Sequence, residues 1–176
     1  ATLTLSGTAD SALQGNMSGA GGSLVKAGNG TLTLGGTNTY SGATTVDDGA
    51  LIVNGSLASP TVHVEGGAAL GGTGSLSGNV TIAGGASPDT QGSISLVDSV
   101  IGTIHFTDPN TGESALTLGG TSANMPSLLN YEVGAMADNL LVSAATLTVN
   151  PGGATIHITP LPGFAAGTYD LISFAL

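Results

Sequence analysis

Residues 28–55 read GNGTLTLGGTNTYSGATTVDDGALIVNG. Two short alternations, Thr31-Leu32-Thr33-Leu34 and Ala50-Leu51-Ile52-Val53, have the period of two that marks strands. Glycine, asparagine or aspartate stands at every break between them. Asp47 and Asp48 are the only charges. Such a stretch has almost nothing that could do chemistry and nearly everything a stack of short strands needs.

The same grammar runs outward in both directions. TLTLSGT from Thr2, TLTLGGT from Thr31, ALTLGGT from Ala115 and TLTV from Thr146 are imperfect copies of one phrase. Further strands are predicted over 22–26, 44–46, 61–64, 75–76, 79–82, 93–96, 103–107, 130–133, 139–142, 155–158 and 167–174. Short strands with small-residue corners, reused at irregular spacing, predict an all-β chain wound as a right-handed parallel β-helix. Alternate Leu, Val and Ile then point inward, each on the rung beneath, while Thr and Ser face water. The composition shifts along the chain. Residues 1–88 hold 20 of the 30 glycines and one of the six Phe and Tyr residues; residues 89–176 hold the other five aromatics and five of the seven prolines. We therefore expect a Gly/Thr-rich solenoid over 1–88, and over 89–176 either its continuation or a β-rich capping segment. The final YDLISFAL stops on an apolar run, as expected of a segment of a longer chain.

Composition excludes several functions. The 176 residues contain one Lys or Arg against eleven Asp and Glu, for a net charge of −10, and no cysteine. A nucleic-acid partner needs cations to release counterions from phosphate, and only Lys26 could supply one. Anionic lipid is excluded on the same ground, and no apolar run suits a membrane helix. Thiol chemistry and disulfides are absent.

Residues 24–57, LVKAGNGTLTLGGTNTYSGATTVDDGALIVNGSL, resemble the autotransporter-associated β-strand repeat, also called the passenger-associated transport repeat. The matching positions are Leu24, Lys26, Gly28, Gly30, Thr31, Leu32, Leu34, Asn38, Thr39, Tyr40, Gly42, Thr44, Val46, Gly49, Leu51, Val53, Asn54 and Gly55. The resemblance implies a β-solenoid passenger exported to the bacterial surface or beyond. It also implies neighbouring repeats of the parent chain as partners, and makes Asn38–Gly42 a turn. The closing stretch 128–175 resembles the last section of long bacterial surface proteins, which implies a place near the end of a passenger.

The remaining candidates are sparse. His63, His105 and His157 each sit mid-strand with apolar flanks on the opposite face, and are expected to face solvent. Asp47-Asp48-Gly49 reads as a turn. Asp108, Asn110 and Glu113 have the oxygen donors of a calcium loop without the spacing of an EF-hand; calcium is the one cofactor considered. No Gly-x-Ser-x-Gly elbow is present, no arginine could offset an anionic sugar, and the carboxylates are scattered, so no enzyme is expected. Lys26 is expected on the solvent face or at a rung corner. Three functions remain: a stiff stalk or fibre element, with head-to-tail self-assembly through the TLTL and LISF end strands; an adhesin-type binding module; and a segment assisting passenger folding.

Overall fold

The computed structural model describes residues 1–96, 102–107, 114–133, 136–143, 146–166 and 168–175. The described residues wind through seven turns. The first carries β1 (Thr2–Ser6) and β2 (Ser11–Leu13); the second β3 (Ser23–Ala27), β4 (Thr31–Leu34) and β5 (Thr37–Asn38); the third β6 (Thr44–Val46), β7 (Ala50–Val53) and β8 (Ser56–Leu57). Next come β9 (Thr61–Val64), β10 (Ala69–Gly71) and β11 (Ser75–Ser77), then β12 (Asn79–Ile82), β13 (Ser93–Ser95) and β14 (Thr103–Thr107). The last two turns hold β15 (Ser114–Leu118), β16 (Ser127–Val133), β17 (Asn139–Ser143), β18 (Thr146–Val149), β19 (Ala154–Pro160) and β20 (Ile172–Ala175). A short 3₁₀ turn, Pro88–Thr90, lies between β12 and β13.

Every third strand stacks. The first sheet is β1-β3-β6-β9-β12-β15-β18, the second β2-β4-β7-β10-β13-β16-β19, and the third β5-β8-β11-β14-β17-β20, all paired in parallel. This is a parallel β-solenoid, as the alternation predicts. Because a parallel ladder keeps register, one inward residue lies on the next through the whole molecule. On the first sheet Leu24, Thr44, Val62, Val80, Leu116 and Leu147 form one inner column. On the third sheet Asn38, Leu57, Leu76, Phe106 and Val142 form another. The columns merge into one core, in which Leu34, Leu51, Leu76 and Ile104 are fully buried.

The turns widen along the axis. Val62 stands on Val80, eighteen positions later, whereas Val80 stands on Leu116, thirty-six positions later. The second sheet grows from three residues in β10 to seven in β16 and β19. The larger perimeter is filled by Phe106 and Tyr131, the largest of the fully buried side chains. All three sheets pass across residues 88–98, where the composition shifts, through the pairs β10–β13, β11–β14 and β12–β15.

Some predicted edges move. β16 begins at Ser127 rather than Asn130, and the strand expected over 167–174 is confined to Ile172–Ala175. Four strands, β2, β5, β8 and β10, have no counterpart in the sequence reading. Each has only two or three residues and includes Ala, Gly, Asn or Ser, so the period of two hardly repeats before the corner.

Candidate functional site

The repeat residues converge on the corners between strands, where one rung is tied to the next. Lys26 is the clearest case: of the two places expected for it, the solvent face or a rung corner, its ammonium takes the corner, from inside the stack. It shares the inner column of Leu5, Val46 and Val64 and is 3 % exposed. Its Nζ donates to the carbonyl of Gly28 in its own corner, at 2.6 Å, and to that of Asp48 in the next rung, at 3.1 Å. An ammonium buried this way is tolerable because its donors meet backbone acceptors that a corner otherwise leaves unpaired. No side-chain amide or carboxylate takes the Nζ in these bonds, so the geometry is that of a hydrogen-bonded clamp between corners.

Asn38 performs the corresponding task at the third sheet. The resemblance makes it part of a turn; here it ends β5 with its side chain inside, 1 % exposed. Its Oδ1 accepts from Met17 N (3.2 Å) in the rung before, and its Nδ2 donates to Gly36 O in its own rung and Ser56 O in the next (both 3.1 Å). One amide thus joins three turns of chain. Tyr40 is buried with its hydroxyl 2.6 Å from Thr44 Oγ1. Burial raises its phenol above the usual range, and the Thr44 hydrogen bond partly offsets this. Thr44 is thereby an inward threonine, as is Ser59 an inward serine: its Oγ donates to Gly42 O and Thr61 O at 2.9 Å.

The corner glycines let backbones meet. At Gly28, with φ of +85°, an added Cβ would lie 2.7 Å from both the nitrogen and the oxygen of Gly7. At Gly49, with φ of +68°, it would run into the carbonyl oxygens of Gly30 and Gly28. Leu32, Leu34, Val46, Leu51 and Val53 are core residues. Asp47-Asp48-Gly49 forms a corner in which Asp48 Oδ1 accepts from Gly49 N at 2.8 Å. Asn54 Oδ1 reaches Thr73 N of the next rung at 3.3 Å, and Gly55 packs on Gly36 O.

The structure does not bring the histidines together. His63 lies on the outer face of β9, 3.3 Å from Glu65. His105, on β14, contacts the Ser143 hydroxyl through Nε2. His157 is exposed on β19. Among the described residues no three His, Asp or Glu side chains gather as a metal site would require. Asp108, Asn110 and Glu113 lie outside the described residues.

Asp138 is among the buried polar groups that escape sequence reasoning. With no exposed surface, it accepts from Gly102 N at 2.9 Å and from Glu132 N at 2.7 Å. It joins the approaches to β14 and β17 to the end of β16. Beside it the Tyr131 hydroxyl is buried without a hydrogen-bond partner among the described residues. Burial, and then the Asp138 charge, push that phenol far above the ordinary range. Tyr131 is in phase with Leu129 and Val133, which could have marked it as inward; nothing local marks Asp138.

Residues 24–53 match the family model described as passenger-associated-transport-repeat. The chain carries a passenger-associated transport repeat. The match begins at the start of the Lys26 clamp and ends with β7, so the repeat spans one complete turn and part of the next. The match covers 30 of the 176 residues. No curated protein and no solved structure matches the chain.

Proposed function

We propose that this chain is a structural segment of an extracellular bacterial passenger, a stiff β-solenoid spacer that holds other parts of its parent protein away from the cell surface. The observation that carries this reading is the use made of the repeat residues. Lys26, Asn38, Tyr40 and the corner glycines all lie in the stack or between rungs, and the polar groups of these side chains fasten one turn to the next. A repeat whose signature residues are consumed by rung-to-rung bonding supports a mechanical role. The reading includes no catalytic residue and no metal.

An adhesin is the competing reading, and one surface favours it. The corner between the second and third sheets presents a shallow, uncharged trough with Asn16, Thr37, Asn54, Thr73 and His105 along its walls. Binding of the purified protein to arrayed glycans and to extracellular-matrix proteins separates the two. The spacer reading expects no saturable binding. Saturable binding that a free sugar competes away, and that Asn54→Ala together with Thr73→Ala abolishes, would replace it with the adhesin.

A further inference from the structure

Several hydroxyls of this molecule are spent on backbone carbonyls: that of Ser59 on Gly42 and Thr61, that of Ser127 on Ile82, that of Thr107 on Leu76. Ser143 is different. Its Oγ meets Nε2 of His105, and among the described residues it is the one hydroxyl in contact with an imidazole. Register brings the two together. On the third sheet Thr107 of β14 stands opposite Ser143 of β17, and His105, two positions earlier on the same outer face, stands opposite Leu141. Thr107 donates its hydroxyl to Leu76 O in the rung below, at 3.2 Å, and leaves Ser143 to the imidazole. The pair lies within the stack, with β11 beneath β14 and β20 above β17.

A serine hydroxyl is a weak nucleophile until a base takes its proton. With the ring proton on Nδ1, Nε2 is an acceptor and the Ser143 hydroxyl its donor. Both residues are half-buried, so the contact is partly shielded from water while the hydroxyl stays within reach of a reagent. His105 also forms part of the wall of the uncharged trough, beside Thr73 and Ser75. The chain has no arginine and its one lysine is inside the stack, so the site suits a neutral reagent rather than an anionic one. Two further features limit what the pair can do. β14 and β17 are paired along both edges, so the ladders take up the amides that could have stabilised an oxyanion. Among the described residues no carboxylate contacts His105. A pair so equipped can accept a group once; it is not equipped for turnover.

We infer that Ser143 is an acylation site of the solenoid: its hydroxyl, activated by His105, accepts an acyl group from a neutral ester. In the step, His105 Nε2 takes the Ser143 proton as Oγ bonds to the acyl carbon. The bond from that carbon to the alcohol oxygen of the ester breaks, and the imidazolium gives the proton to the departing oxygen. The products are a serine ester and an alcohol, and no other reactant is needed. The site adds a point of covalent attachment to the outer face of a chain whose proposed role is otherwise mechanical.

The test uses p-nitrophenyl acetate as the ester. The purified chain is incubated with it, the release of p-nitrophenolate is followed, and the acetyl group is located by fragment mass spectrometry. The expected result is a stoichiometric burst without sustained turnover, with the acetyl group on Ser143 ahead of every other hydroxyl. Ser143→Ala removes that adduct. His105→Gln lowers its rate of formation at least about tenfold, since a positioned base typically contributes about a hundredfold or more, whereas His63→Gln, on the first sheet, leaves it unchanged. Circular dichroism matching the wild type establishes that each variant is folded, and the adduct map of the wild type is read without any variant. No acetyl group on Ser143 in the wild type, acetyl groups spread evenly over the hydroxyls, or a Ser143 adduct that forms equally fast in folded His105→Gln overturns the inference. So does a burst that survives Ser143→Ala, which would make the imidazole itself the nucleophile.

Discussion

Lys26 is the chain's only lysine or arginine, and it lies inside the solenoid. Replacing it by alanine removes the clamp and leaves two corner carbonyls short of a donor, so Lys26→Ala should cost about 3 kcal/mol in urea unfolding. Tyr131 runs the other way. Its buried hydroxyl has no partner among the described residues, so Tyr131→Phe should be neutral or stabilise by about 1 kcal/mol. The phenols of Tyr131 and Tyr40 are both raised, by burial first. A raised folded value means that the neutral form stabilises the fold fully below the unfolded value, about 10, and that this contribution is lost as the pH climbs above it. Stability should therefore hold level to about pH 9 and decline beyond pH 10, a decline that Tyr131→Phe makes shallower; urea midpoints across this range read it directly. Asp10 shows the opposite sign. Its carboxylate accepts from Thr31 N at 2.8 Å, which lowers its pKa. The Thr31 amide should therefore keep its hydrogen-bonded chemical shift above about pH 4 and lose it on further acidification.

At the scale of the element, the rung is the unit, and rungs should be removable whole. Thr44 stands on Val62, eighteen positions later, on the first sheet. Deleting 44–61 brings Val62 onto Leu24 and restores every inner column, so the shortened chain should remain folded with an unchanged circular-dichroism signature per residue. Deleting only 44–52 removes half a rung, puts Gly55 where Val46 stood and Pro60 where Leu51 stood in the core, and should leave a chain that unfolds at much lower denaturant concentration. Much of this was legible beforehand. The alternation TLTL or ALIV reports its own inward face, and the Gly-Gly and Asn-Gly breaks report the corners. Lys26 was readable too, since it is two residues from Leu24 and so in phase with it; chemical type argued for solvent and phase for the core, and phase prevailed because the corner supplied carbonyls. Asn38 gave no such sign. In sequence it is a turn residue, and only the carbonyls of two rungs and an amide of a third explain why it is inside. Asp138 depends in the same way on Gly102, thirty-six positions away.

At the scale of the whole molecule, two halves that differ in composition form one continuous stack. Residues 1–88 and 89–176 share all three sheets, and the aromatic-richer half is wider because its turns are longer. Among the described residues the corner between β12 and β13 spans 83–92 and that between β15 and β16 spans 119–126. The rigidity that the proposed spacer requires would follow from register rather than from any single contact. The outer column Thr4, Val25, Thr45, His63, Thr81, Thr117 and Thr148 runs unbroken from the first turn to the last. Because the chain has no cysteine, Thr4→Cys and Thr148→Cys give two unique sites for spin labels. A double electron–electron resonance measurement on that protein, diluted with unlabelled chain, bears most directly on the central claim. Six rung steps predict a single narrow distance distribution for the two backbone sites of about 29 Å, before the reach of the labels is added; a broad distribution, or one whose centre lies well beyond that span, would mean that the two halves are not one stack.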